Sequence, residues 1–349
     1  MEGIRARLGT AAFGIVLCAA LAACGESAAP TPVPSDIKPA DAMKVVSDFW
    51  KAREDAYVGL DSSKLDAVEA GDLAKIDATS IAGQKKRGLP GQKAPRALGD
   101  VKVYAPHQKD YPAQFLAVST APDQQADLSL TAKTYTQAVV FIKPDPDTPY
   151  QAVMLTVVDP GQSLPELKVG KDGFALLVAG EGQAATYKAA ASQMGQKLAD
   201  ELNNLTTGAK GQADLAAGLF TTQEADLEKE LVSGLASRGV DLKISRAGKD
   251  NAGNFAYQTV DGSALDFFAT NSSILFVAKA GNGGGGCIIL PPSSSDVLKK
   301  QPPGIYRALN LEEVTMMAAV VPPATDKTRL ITVAAAASGS ATVEDPPCS

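Results

Sequence analysis

Val139-Val140-Phe141-Ile142-Lys143-Pro144-Asp145-Pro146-Asp147, running on to Ala152–Val158, decides how this chain folds. β-Branched and aromatic residues on both sides of a Pro/Asp cluster read as two strands joined by a turn. A second stretch repeats the arrangement: Met317–Val321, then Pro323 and Asp326, then Leu330–Ala336. Outward from the first stretch, Val101–Ala105, Ala113–Thr120, Lys133–Lys143 and Tyr150–Val158 read as strands, with Phe174–Ala179 as a further one. The intervals are too short for parallel crossovers, so the neighbours are expected to be antiparallel. Upstream, Ala42, Val45, Val46, Phe49, Arg53, Ala56 and Tyr57 recur at helical spacing, and Asp41 suits the start of a helix over Ala40–Tyr57. Leu60–Ile81 continues as shorter helices broken at Gly71, and Gln84–Ala97 reads as a loop.

The order then begins again. Ala184–Leu205 and Gln223–Ser237 read as helices. Val240–Ser245, Phe255–Val260, Ala264–Thr270, Ile274–Lys279, Thr315–Val321 and Leu330–Ala336 read as strands. The expected fold is therefore α+β, with two similar subdomains, each of helices followed by a curved antiparallel sheet. The first would span residues 40–163. The second, with its connection and carboxyl tail, would span 164–349.

The amino terminus reads as an export signal over residues 1–23. Arg5 and Arg7 are followed by the apolar run Leu8–Ala20, which is shorter than the roughly 20 residues of a membrane span. Leu21-Ala22-Ala23-Cys24 resembles the lipobox of bacterial lipoproteins, which implies cleavage between Ala23 and Cys24 and lipid attachment at Cys24. The alternative is an ordinary secretory signal with a chance cysteine. Two acyl chains anchor a protein stably where one does not. Residues 24–39, with Pro30, Pro32, Pro34 and Pro39 among small residues, read as a tether reaching on the order of 45 Å.

With 45% hydrophobic and 21% charged residues the chain is globular in composition. Loss of Glu2, Arg5 and Arg7 with the signal takes the formal charge from −6 to −7. An acidic body without a basic stripe argues against nucleic acid as a partner. Of the four cysteines, Cys18 lies in the signal and Cys24 is the proposed anchor. Cys287 and Cys348 remain as an even pair in an exported chain, where a disulfide can persist. Such a bond would close a loop of about 60 residues and stabilise by roughly 4 kcal/mol; two free thiols are the alternative.

Three groups of residues carry a family resemblance. They are Leu60-Asp61 with Leu65 and Val68–Leu73; Val103–Pro106 with Tyr111-Pro112 and Phe115–Ala117; and Leu164-Pro165 with Asp172–Ala175. The chain resembles uncharacterised extracytoplasmic lipoproteins of high-GC Gram-positive (actinobacterial) bacteria that carry a two-part domain of unknown function over most of residues 40–345. The nearest architectures are the nuclear-transport-factor-2-like cone and the cystatin-like sheet. The resemblance implies a location and a fold, and offers no catalytic residues.

No constellation of reactive residues emerges, so no catalytic, cofactor or metal site is assigned. His107 is the single histidine and reads as an exposed loop residue, without the Gly-x-Ser-x-Gly elbow of a serine hydrolase. Ser35-Asp36-Ile37-Lys38 is a chance Ser-x-x-Lys pattern. Gly281–Gly286 has dinucleotide-like spacing but leads into an apolar run ended by Pro291 and Pro292, not into a helix. Asp145 and Asp147, like Asp250, Asn251 and Asn254, lack the spacing of a calcium loop. Trp50, the single tryptophan, reads as core. Phe255, Tyr257, Phe267, Phe268 and Phe276 alternate on strands and read as core or as the wall of an apolar pocket. The expected protein is a non-enzymatic, lipid-anchored module on the outer face of the cell membrane, without cofactor, that binds a partner protein or a small apolar or amphiphilic ligand. The competing expectations are an enzyme using carboxylates and tyrosines in a cone-like pocket and a purely structural envelope component.

Overall fold

The first helix, α1 (Pro39–Gly59), opens on Pro39, whose fixed φ suits a first helical turn, and closes at Leu60 in the left-handed conformation. A short 3₁₀ turn over Ser62–Leu65 follows, capped by the Asp61 carboxylate. Next comes α2 (Gly71–Lys86), which starts at the glycine where a break between helices is expected. In this computed structural model the described residues are 36–86, 88–122, 134–158, 163–178, 186–249, 255–279, 288–289 and 305–344. Ala23, Cys24, the tether up to Ser35, Gly281–Gly286, Asp250, Asn251, Asn254, Cys287 and Cys348 lie outside them.

Strands β1 (Val101–Tyr104), β2 (Ala113–Pro122), β3 (Thr134–Lys143) and β4 (Gln151–Val158) form an antiparallel meander. After α3 (Met194–Thr206) and α4 (Glu224–Ala236) come β5 (Val240–Lys249), β6 (Phe255–Gln258) and β7 (Ala264–Ala278). A two-stranded pair, β8 (Ile288–Ile289) and β9 (Ile305–Tyr306), precedes β10 (Ala308–Val321) and β11 (Thr332–Glu344). The fold is α+β, as expected. The two separate subdomains are not: β1-β2-β3-β4-β11-β10-β7-β5 is one path, and with β6 beside β7 it makes one nine-stranded sheet. Val157 and Val158 of β4 pair with Ala336 and Ala335 of β11. The two matching Pro/Asp hairpins are therefore neighbours within one sheet. The physical reason is the edge each would otherwise expose: an unpaired β4 or β11 leaves a row of backbone donors and acceptors unsatisfied.

Residues 164–178 extend the pairing. Gln258 N–H donates to the Leu176 carbonyl at 2.8 Å, and Ala175 N–H to that of Ala105 just beyond β1, also at 2.8 Å. Hydrogen bonds thus run from β6 back towards the β1 edge, and the expected strand over Phe174–Ala179 is a set of isolated bridges instead. Thr186–Ala190, expected as helix, lies against the β10–β11 turn, with Lys188 N–H on the Pro322 carbonyl. This pairing overrides the helix propensity of its alanines.

The main core lies between α1, α2 and the sheet. Phe49 meets Phe141 edge-on at 5.4 Å, and Phe141 stacks on its cross-strand partner Phe115 at 4.7 Å. Phe267 and Met316 join this core, whereas Phe268 and Met317 point the other way into a second cluster with Met194, Leu198 and Leu202 of α3. Helix α3 also covers the β5 edge. The Asn203 side chain exchanges hydrogen bonds with the Arg246 backbone at 2.9 and 3.1 Å, and Gly248 N–H donates to Gln196 at 2.9 Å. The approach is close enough to demand glycine: a Cβ on Gly248 would stand 2.2 Å from the Gln196 nitrogen. Gly248→Ala is expected to lift α3 from the edge and lower stability by about 1–3 kcal/mol in urea unfolding; a neutral effect would show that the contact yields without cost.

Candidate functional site

His107 is exposed, as expected, yet it is not idle. Its Nδ1 lies 2.6 Å from Asp36 and its Nε2 2.9 Å from Asp172, with the ring stacked on Phe174 at 4.1 Å. Asp36 also accepts from Gln108 N–H at 2.7 Å. Hydrogen bonds to Asp172 and Asp36 raise the histidine's pKa. With Ile37 buried beside them, these contacts fix the chain three residues before the expected end of the tether. Trp50 is core, and its Nε1 donates to the Arg96 carbonyl at 2.7 Å. Asp145 caps its own turn through Thr148 and Asp147, and Asp326 does the same through Thr328 and Arg329. The aromatic set does not share one face: Phe255, Tyr257 and Phe267 lie in the main core, Phe268 in the second, and Phe276 beside Leu309.

Buried charge went unnoticed in the sequence. Between α1 and α2, Arg53 grips Asp77 through Nε at 2.7 Å and Nη2 at 3.1 Å, and Tyr57 donates to Asp77 at 2.9 Å. Glu69 lies 3.8 Å from Arg53. Burial, then the neighbouring Asp77, raises the Glu69 pKa well above the carboxylate range. One guanidinium cannot neutralise both acids, and the protonated form of Glu69 is favoured. Arg53 has the spacing of an apolar helix position, so periodicity alone could not reveal this cluster. Asp266 on β7 is 1% exposed and its Oδ1 has no hydrogen-bond partner. It feels Tyr187 electrostatically, but among the described residues no hydrogen bond joins this Asp and Tyr, and its partners on the neighbouring strands are Ala256 and Ala319.

A cleft of about 230 Å³ opens between the sheet and the α3–α4 connection. Its floor follows from strand register. Arg246 of β5 faces Ser272 of β7, which faces Glu313 of β10. One row along, Thr270 faces Thr315, and Phe268 faces Met317 in the next. Residues two apart share a face, so charged, hydroxyl and apolar rows succeed one another along the floor. Ser272 and Thr270 are 3% and 1% exposed. The ladder between β10 and β11 shifts register at Glu312/Glu313, and such irregularities re-aim side chains.

The roof is a single π-helical turn, Leu219–Gln223, running into α4; it brings Phe220 and Glu224 over the floor. π-Helical turns occur disproportionately at functional sites. Thr221 secures the turn by donating to the Ala216 carbonyl at 2.8 Å. At the rear, Glu228 accepts from Arg246 Nη1 at 3.0 Å and from Thr206 at 2.8 Å. Glu224 stands 3.9 Å from the same guanidinium. The arrangement can hold a small polar ligand with an apolar portion. Arg246, Thr270, Ser272, Glu313 and Thr315 carry no motif in the sequence; the polar run Thr270–Ser273 inside an otherwise apolar β stretch is the signal that could have marked them.

Asp266 makes a pH-dependent test of the sheet beside the cleft. Burial pushes it from 3.8 up to about 7. The folded protein therefore keeps a proton that the unfolded chain releases above about pH 4, and stability falls as pH rises from there to about 7. The shift corresponds to at most about 4 kcal/mol. Asp266→Asn is expected to stabilise relative to the parent more at pH 8 than at pH 5 in urea unfolding. Equal effects at both values would mean that the carboxyl ionises in the folded state as it does in the unfolded one.

Comparison with known proteins found no curated protein and no solved structure that matches the chain. A family does match, over residues 35–339, a span that takes in α1 and α2, the cleft and most of the sheet. The chain belongs to the family described as Domain of unknown function (DUF8094).

Proposed function

We propose that the protein is an extracytoplasmic, lipid-anchored binding module, held at the outer face of the membrane through Cys24 after cleavage behind Ala23, in the manner of actinobacterial lipoproteins. The observation that carries the binding reading is the cleft between the sheet and the π-helical turn. Sites for small ligands are concave, apolar in part, and supplied with a few placed polar groups. Here Arg246, Glu313, Thr270 and Ser272 are the polar groups, and Leu202, Phe220 and Met317 the apolar ones. The lining holds carboxylates, hydroxyls and a guanidinium, and the chain's single histidine is engaged elsewhere with Asp36 and Asp172. Such a lining favours binding over nucleophilic catalysis.

Two measurements test this reading. Cys24→Ser is expected to move the protein from the membrane fraction to the medium; retention at the membrane would refute the anchor. A small-molecule set screened by thermal shift is expected to yield compounds that raise the melting temperature of the parent. Thr315→Trp, which fills the floor of the cleft, is expected to abolish that effect. Compounds that stabilise both proteins equally would place binding elsewhere.

A further inference from the structure

We propose that the ligand of this cleft is a small organic cation, an ammonium group on a short apolar chain; this rests on the cleft being the binding site. The charge balance is the first argument. Three carboxylates, Glu224, Glu228 and Glu313, surround one guanidinium, Arg246. Arg246 is already neutralised, because Glu228 holds it at the rear and is itself fixed by Thr206. An anionic ligand would have to displace Glu228 and then sit beside the remaining carboxylates. A cation meets Glu313 instead. Among the described residues no hydrogen bond or ion pair holds the Glu313 carboxylate; it acts on Arg246 only through space.

The second argument is independent of charge. Thr270 and Ser272 line the cleft although they are 1% and 3% exposed. Among the described residues neither hydroxyl has a side-chain hydrogen bond to satisfy it. Neither oxygen is among the sealed, unsatisfied polar atoms of the interior, so each opens on the cleft and can accept an N–H from an ammonium group, which has three to give. The register places Ser272 beside Glu313 on the adjacent strand, so a carboxylate and a hydroxyl converge where a cation would sit.

Size and polarity set the remainder of the ligand. A volume of about 230 Å³ is that of about eight waters at ~30 Å³ each, below the range of drug-sized ligands. Beyond the hydroxyl row the lining turns apolar through Leu202, Phe220 and Met317. The ammonium end therefore lies at Glu313 and Ser272, with a chain of a few carbons running towards Met317.

Met317 provides the reporter. The full chain, carrying Cys24→Ser and labelled with [13C]methyl methionine, is titrated with hexylammonium, hexanoate and hexanol while the Met317 methyl resonance is followed. Hexylammonium is expected to shift that resonance saturably, with hexanoate at least tenfold weaker. Glu313→Gln is expected to weaken the hexylammonium effect about tenfold, and raised salt to weaken it further. The methyl spectrum of Glu313→Gln without ligand serves as the check that the variant is folded, and Thr270→Val, which removes only a hydroxyl, gives a second route to the same loss. Binding of hexanoate or hexanol as tight as that of hexylammonium would overturn the cation assignment and leave the cleft standing as a site. Silence of Met317 to all three probes would overturn the site itself.

Discussion

Fifteen residues of β7 must bond on two edges and bury side chains on two faces, and most of the second half of the molecule is arranged around that demand. On one edge β10 pairs with its length from Ala264 to Val277. On the other, β5 takes the stretch from Ala269 to Ala278, and β6 the stretch from Ala264 to Phe267. Phe267 and Phe268, adjacent in sequence, enter different cores because successive side chains leave a strand on opposite faces. A strand in this position cannot slip by one residue without exchanging its two faces. The cleft inherits that fixity, since Thr270, Ser272 and their partners on β10 are set by the same ladder.

The polar centre of β7 is best understood against this background. Of the polar run Thr270–Ser273, Thr270 and Ser272 face the cleft, and Asn271 and Ser273 the opposite side of the sheet. Side chains under the packed part of α3 are methionine, phenylalanine and alanine. Those lining the cleft mix hydroxylic and charged side chains with Met317, Ala336 and Ala337.

Much of the fold was legible in the sequence because it rests on local pattern. Helix α1 and strands β1 to β4 lie close to where periodicity and turn residues put them. The failures have a common cause in long-range pairing. Asn271–Ser273 looks like a turn between two strands, but β10 and β5 hold it extended, so two expected strands are one. Thr186–Ala190 lies in a segment of helical composition but pairs with the β10–β11 turn. The expectation of two bodies failed because Val157 and Val158 pair with Ala336 and Ala335 and because Phe267 and Met316 share a core with the first half, and no local signal announces which edges will meet. The cleft was hidden for the same reason: its floor unites residues 246, 272 and 313, which only strand register brings together. The Pro/Asp clusters form turns, as expected, and Asp145 and Asp326 cap them.

The contact of His107 with Asp36 and Asp172 has a mechanical side. These aspartates stand 71 and 65 residues from the histidine along the chain, so three distant segments meet at one ring. Tension applied to the residues before Asp36 is shared with the loop after β1 and with the turn before Phe174, rather than falling on the first turn of α1 alone. Ile37, seated in the main core, resists the same pull from within. The polypeptide thus enters the folded body through a strain relief, and α1 keeps its register on the sheet when such tension is applied.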